Sequence, residues 1–215
     1  MSKIEPVLCK NCGAKLKVPS DFIKIYTSEK DYDHVRSGEV FYITCKKCKS
    51  RFNFECPFLY VDIDNKFVIF YINNDTFYDM AVDGTNELRM LFKDIDGMIV
   101  RVVSSNRELL YEKIDIFTAG LNDVIVETCK YELQRRHRDA EDIIFKYDIK
   151  NKKKEFVIKY KNHEELVGFD SDLYNSYDNL LKEQKDYSKN SNSIVDYKTL
   201  VSINSPFYYS PAKDN

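Results

Sequence analysis

Through the first hundred residues, apolar and polar positions mostly alternate in short runs. A helical 3.6-residue rhythm becomes dominant only after Ser105. The runs Phe58–Asp62 and Phe67–Ile72 are rich in β-branched and aromatic residues, and Ile63-Asp64-Asn65-Lys66 between them predicts a hairpin. Ile99–Val103 predicts another strand after Asp96-Gly97, while the polar stretch 73–87 predicts a loop. Ser105 opens a helix with Glu108 as its capping-box partner, Leu109, Leu110, Ile114 and Phe117 form its apolar stripe, and Gly120 stops it. Asn122 starts a second helix carrying Val124, Ile125, Thr128, Cys129 and Leu133 at helical spacing. Its basic end, Gln134-Arg135-Arg136-His137-Arg138, suits the negative pole of the helix dipole. Ile143–Ile149 and Glu155–Tyr160 alternate as a second hairpin across Lys150–Lys154, and Ser171 caps a helix over 173–181. Residues 186–193 read as a linker and Ile194–Ile203 as a last strand or helix.

The first 56 residues carry the chemistry. Cys9 and Cys12 form one Cys-x-x-Cys pair, Cys45 and Cys48 another, each entered from apolar residues and followed by alternation: Leu16 and Val18, then Phe52 and Phe54. A two-residue gap turns both thiolates of a pair toward one centre, and two pairs supply a tetrahedral set of four. Gly13 after the first pair suits a positive φ; Lys49 holds the matching place in the second, which must close without glycine. Between the pairs, Ser20–Tyr26 is strand-like in part, Ser28 and Gly38 bracket a short helix, and Glu39–Ile43 leads as a strand into the second pair. Val7, Leu8, Leu16, Val18, Ile43, Phe52 and Phe54 are the expected ribbon core. The pattern predicts structural Zn2+ held by Cys9, Cys12, Cys45 and Cys48; iron uses the same thiolates. A redox dithiol would sit at a helix N-terminus, whereas these flanks read as strands.

Composition adds boundaries. The 215 residues carry 33 basic and 35 acidic side chains, but 1–56 holds 11 basic against 7 acidic, and 57–145 holds 10 against 17. The start lacks an apolar leader and no run approaches the ~18–20 apolar residues of a membrane span, so a cytoplasmic protein is expected. In a reducing compartment paired cysteines favour metal over disulfides. Cys56 is read as a strand-end residue and Cys129 as core. His34 is read as a surface residue, His137 and His163 as solvated, and Asp94/Asp96, Glu164/Glu165 and Asp170/Asp172 as loop or helix-start residues. No phosphate loop, nucleophile elbow or His-Glu-x-x-His occurs, and no internal repeat is read beyond the doubled cysteine turn. Lys46, Lys47, Lys49 and Arg51, interleaved with Phe52 and Phe54, are a candidate nucleic-acid face; solubilising lysines on an exposed turn, with Phe52 and Phe54 on the core face of a strand, are the favoured explanation.

The segments Val7–Gly13, Ser37–Cys48, Pro57–Asp62 and Arg101–Asp123 together resemble the CpXC family of bacteria and archaea, over roughly residues 7–135. Lys10 and Lys46 stand where that family usually has proline. Proline stiffens the turn but supplies no ligand, so the change bears on rigidity rather than on the donor set. The resemblance implies a four-cysteine metal site and brings no activity with it. The expectation is an α+β protein: a CpXC-like domain over 1–136, comprising a zinc ribbon (1–56) packed on a hairpin and two consecutive helices (57–136), then a hairpin-plus-helix extension over 137–215. The functional reading is a non-enzymatic binding or regulatory module with a protein partner. Nucleic-acid binding is the alternative, and an enzyme using a cleft between ribbon and helical body ranks third.

Overall fold

The computed structural model describes residues 7–16, 23–26, 29–54, 57–72, 98–104 and 106–183. Val18, Ser20, Ser28, Cys56, Asp94, Asp96, Ser105, the stretches 73–87 and 186–193 and the segment Ile194–Ile203 lie outside them. The architecture is mixed α+β, with three small sheets and, among the described residues, four α-helices. It divides into two compact units, Met1–Asn106 and Arg107–Asn215.

In the first unit, β1 (Ile23–Tyr26), β4 (Phe58–Asp62), β5 (Phe67–Ile72) and β6 (Ile99–Ser104) form one sheet in the order β1-β4-β5-β6. The β4–β5 pair is the expected hairpin, and β1 and β6 add to it in parallel. Phe58, Tyr60, Val61, Phe67, Val68, Ile69 and Tyr71 are all buried, so both sheet faces are covered at its centre. That accounts for a continuous apolar run where a half-exposed hairpin would alternate. Asp62 closes the turn by accepting from the Asn65 N–H at 2.9 Å and from Asn65 Nδ2 at 2.8 Å, and Lys66 takes φ 58°.

α1 (Glu29–Arg36) ends at Gly38, whose φ of 74° turns the chain into a 3-10 turn over Glu39–Phe41. This corrects the strand expected across Glu39–Ile43: only β2 (Tyr42–Thr44) is extended, paired antiparallel with β3 (Arg51–Asn53). The Phe41 N–H donates to the Gly38 carbonyl at 3.0 Å, and adjacent Val40 and Phe41 are both buried, which strand alternation forbids. Phe41 gains from the turn a seat against Phe58 and Tyr71, ring centroids 5.8 and 5.3 Å away. This contact anchors the cysteine ribbon to the four-stranded sheet.

The second unit opens on α2 (Arg107–Thr118) and α3 (Asp123–Arg136). α2 starts at Arg107, and Glu108 forms an ion pair with Lys159. Gly120, at φ 71°, ends α2 as expected: its N–H bonds the Phe117 carbonyl and the Leu121 N–H bonds that of Ile116, both at 3.0 Å. The Asn122 side chain caps α3 by accepting from the Val124 N–H at 3.0 Å. β7 (Asp142–Asp148) and β8 (Lys153–Lys159) form the second hairpin. Its turn repeats the first, because Asp148 binds the Asn151 N–H and Nδ2 and Lys152 takes φ 52°. The chain thus contains a second internal repeat, Asp-Ile-x-Asn-Lys at 62–66 and 148–152. Glu164/Glu165 are corrected from loop residues to the start of β9 (Glu164–Gly168), the third strand of this sheet. α4 (Ser171–Glu183) is capped by Asp170, which accepts from the Leu173 N–H at 2.9 Å, rather than by Ser171.

β7 is an edge strand, yet its outer backbone is engaged. The Phe145 N–H donates to Glu112 Oε1 at 2.6 Å and the Tyr147 N–H to Asp115 Oδ2 at 3.3 Å. Donors two residues apart on the strand meet carboxylates three apart on α2, so the helix stands in for a neighbouring strand. Both carboxylates are buried, and lysines compensate Glu112 together with its neighbours Glu127 and Asp123. Lys130 Nζ lies 2.8 Å from Glu112 and 3.0 Å from Glu127; Lys113 Nζ lies 2.7 Å from Glu127 and 3.4 Å from Asp123. All five side chains are at most 3% exposed. Burial pushes Glu112 up to about 7 against the pull of Lys130. Burial disfavours charged Lys130, but Glu112 and Glu127 outweigh it and raise the ammonium above its ordinary value.

Removing one partner strands the others in a dry site, so Lys130→Met should cost about 3–5 kcal/mol in urea unfolding of the helical signal. The pH dependence has a definite sign. Glu112 sits above its unfolded value, so its stabilising contribution is complete below that value and is lost as pH rises through about 7. Glu112→Gln keeps an oxygen for the Phe145 N–H but cannot titrate. Urea unfolding should show the wild type's stability relative to this variant falling between pH 5 and pH 8.

Candidate metal centre

Each cysteine pair sits on a tight turn with the same backbone bonding. In the first, the Gly13 N–H bonds the Cys9 carbonyl and the Cys9 N–H bonds the Ala14 carbonyl, both at 2.8 Å. In the second, Lys49 N–H to Cys45 carbonyl and Cys45 N–H to Ser50 carbonyl are both 2.9 Å. Gly13 has φ 69° and Lys49 φ 62°, so the lysine takes the left-handed conformation that glycine takes in its counterpart. The turns close in this way with Lys10 and Lys46 at their second positions. β2 and β3 extend the second turn into a two-stranded ribbon, while the first is closed by an isolated Leu8–Lys15 bridge.

The turns bring four sulfurs together, all within 4.8 Å of one another. The cross-pairs Cys9–Cys48 and Cys12–Cys45 are 3.5 and 3.7 Å apart. A tetrahedral ion with ~2.3 Å metal–sulfur bonds spaces its ligands by ~3.8 Å, so the quartet fits a four-thiolate centre. All four are free thiols, each pair on a turn rather than opening a helix, so the helix N-terminus that serves a redox dithiol is absent from both pairs.

The sulfurs are not equivalent. The Ser50 hydroxyl and then the Ser50 N–H stabilise the Cys48 thiolate and bring it down to about 5. Cys45 is lowered by the N–H groups of Cys48 and Lys47. Cys12 receives the Ala14 N–H, but burial and the three other sulfurs outweigh it and push the thiol up to about 12. Four like charges at this spacing repel, and a central cation is what allows all four to ionise.

The expected apolar ribbon core is corrected. Val7 and Leu8 are 37% and 54% exposed, and Leu16, Ile43, Phe52 and Phe54 are only partly buried. Cys9 and Cys45 are buried instead, so sulfur occupies the centre where side-chain carbon was expected. Lys46, Lys47 and Lys49 are exposed, whereas Arg51 pairs with Glu39 at 2.7 Å and lies 3.9 Å over the Tyr42 ring. His34 is exposed on α1. Cys129 is core, with burial pushing its thiol up to about 12. His137 is corrected from a solvated residue: its Nδ1 lies 2.6 Å from Tyr160 Oη, while His163 stacks on the Tyr160 ring at 4.5 Å. A cleft of about 350 Å³ is lined by the charged side chains Glu132, Arg135, Arg136 and Arg138.

The model of the CpXC protein family matches residues 7–130, more than half of the chain. The chain belongs to the CpXC family. No curated protein and no solved structure matches it. The CpXC match covers both cysteine turns and most of α3, and so crosses from the first compact unit into the second. No helix among the described residues is long and apolar enough to cross a membrane.

The turn geometry predicts opposite signs for two substitutions. A Cβ on Gly13 meets nothing within 4 Å, so Gly13→Ala carries only the conformational cost of φ 69°, about 1 kcal/mol. Lys49→Gly removes such a cost and should gain about 0.5 kcal/mol after the added unfolded-state entropy. Thermal unfolding followed at the ribbon should show the first melting lower than wild type and the second higher.

Proposed function

We propose that Cys9, Cys12, Cys45 and Cys48 hold a structural Zn2+, and that the chain is a metal-stabilised, non-enzymatic binding module. The observation that carries this is the closed donor set. Four thiolates around one centre fill a tetrahedral shell and leave no position for a substrate or activated water. The ribbon's small apolar content agrees, because about 1–2 kcal/mol of backbone entropy per residue must be met from somewhere. Structural zinc contributes about 10–16 kcal/mol in small fingers at neutral pH.

The partner proposed is another protein. Exposed Val7, Leu8 and Tyr42 lie on the ribbon and offer apolar contact area. The alternative, nucleic-acid binding, draws support from exposed Lys46, Lys47 and Lys49, but Arg51 is already held by Glu39 and Tyr42. A gel shift with random RNA and DNA separates the two. Binding that falls steeply with salt supports the phosphate reading, and its absence supports a protein partner.

Native purification followed by metal analysis should give one zinc per chain, lost in Cys45→Ser. Chelation should remove hydrogen-exchange protection at Cys9–Cys12 and Cys45–Asn53 while α2 and α3 keep theirs. Unchanged protection in metal-free protein would show that the ribbon folds without an ion.

A further inference from the structure

The two cysteine turns match in backbone bonding but differ in one side chain that touches sulfur. Ser50 and Ala14 occupy equivalent places, each accepting the N–H of the first cysteine of its pair. Ser50 carries a hydroxyl, and its Oγ lies 3.3 Å from Cys48 Sγ; Ala14 has nothing comparable to offer Cys12. Asn11, exposed on the opposite turn, donates from Nδ2 to Ser50 Oγ at 2.8 Å. A serine hydroxyl has one proton and two lone pairs. The Ser50 carbonyl is held by the Cys45 N–H; a protonated Cys48 donates to Ser50 Oγ, and once that thiol is ionised, with Asn11 on one lone pair, the hydroxyl proton is the group left to face the sulfur.

We propose that Asn11 and Ser50 are positioning residues for Cys48: the Ser50 hydroxyl donates to the metal-bound thiolate, and Asn11, reaching across from the other turn, fixes that hydroxyl's direction. The inference rests on the metal reading above. A donor to a metal-bound thiolate fixes the orientation of the sulfur lone pairs and shares its charge, so Cys48 leaves the metal more slowly than it would without this contact. Because the hydroxyl belongs to one turn and its director to the other, the clamp also ties the turns together. Asn11 acts through Ser50 and should have no effect where the hydroxyl is missing.

The test uses the full chain loaded with zinc or cobalt(II), as wild type, Ser50→Ala, Ser50→Thr, Asn11→Ala and the Asn11→Ala/Ser50→Ala double variant. Zinc transfer to a competing chelator should be about tenfold faster in Ser50→Ala. The thiolate-to-cobalt charge-transfer band should move to longer wavelength, since sulfur without its donor gives up electron density more readily. Ser50→Thr keeps a hydroxyl and should restore both. Asn11→Ala should speed release a few-fold, and the double variant should match Ser50→Ala alone. A Ser50→Ala protein with wild-type release and an unmoved band overturns the clamp but leaves the metal site standing. Additive effects in the double variant overturn the role given to Asn11. A wild-type chain that takes up neither zinc nor cobalt overturns the clamp and the metal reading together.

Discussion

Negative charge taken out of water has to be met by positive charge close at hand, and both units are arranged around that requirement. In the second unit the charge is carboxylate and the answer is internal. Glu112 and Glu127 share Lys130, and Glu127 and Asp123 share Lys113. In the first unit the charge is sulfur. The chain supplies N–H groups and one hydroxyl, which favour individual thiolates without cancelling four of them. One unit therefore answers its buried carboxylates with lysines of its own, while the other gathers four sulfurs in a geometry suited to a cation.

The sulfur centre is also held from outside. Phe41 sits four residues before Cys45 and packs on Phe58 and Tyr71, so the second cysteine turn rises from the four-stranded sheet. The Phe54 N–H returns to the Phe41 carbonyl at 2.7 Å and closes the ribbon at its base. Among the described residues the first turn has no such strut and meets the second at its sulfurs and through Asn11 and Ser50. One half of the site is thus built on a scaffold, and the other is gathered onto it.

Much of this was legible in the chain. The cysteine spacing located the site, and Gly120 and Asn122 punctuate the helix pair because a left-handed residue and a side-chain cap are written in single letters. The two hairpins follow from β-rich runs around polar turns. The copies of Asp-Ile-x-Asn-Lys were equally visible and are found by comparing the turns with each other. The buried charges were not legible. Glu112, Lys113, Glu127 and Lys130 lie among helical residues that a periodicity reading assigns to solvent; Glu112 faces inward to the β7 backbone and the other three to the ion pairs built around it. β9 was hidden because Glu164–Gly168 is mostly exposed and takes its form from its neighbour. The ribbon core was misread because an apolar count does not include sulfur as the group being buried.

The sealed side of β7 limits how the second unit can assemble. A sheet with two open edges can add strands at both, and repeated copies then run on without end. Here α2 occupies the outer donors of β7, and among the described residues β9 is paired on one side only. A sheet with one edge left can join one further strand, from a partner or from a second copy related by a two-fold axis, and the addition then stops. The same carboxylates that satisfy two backbone N–H groups thereby withdraw one edge of the sheet from strand addition.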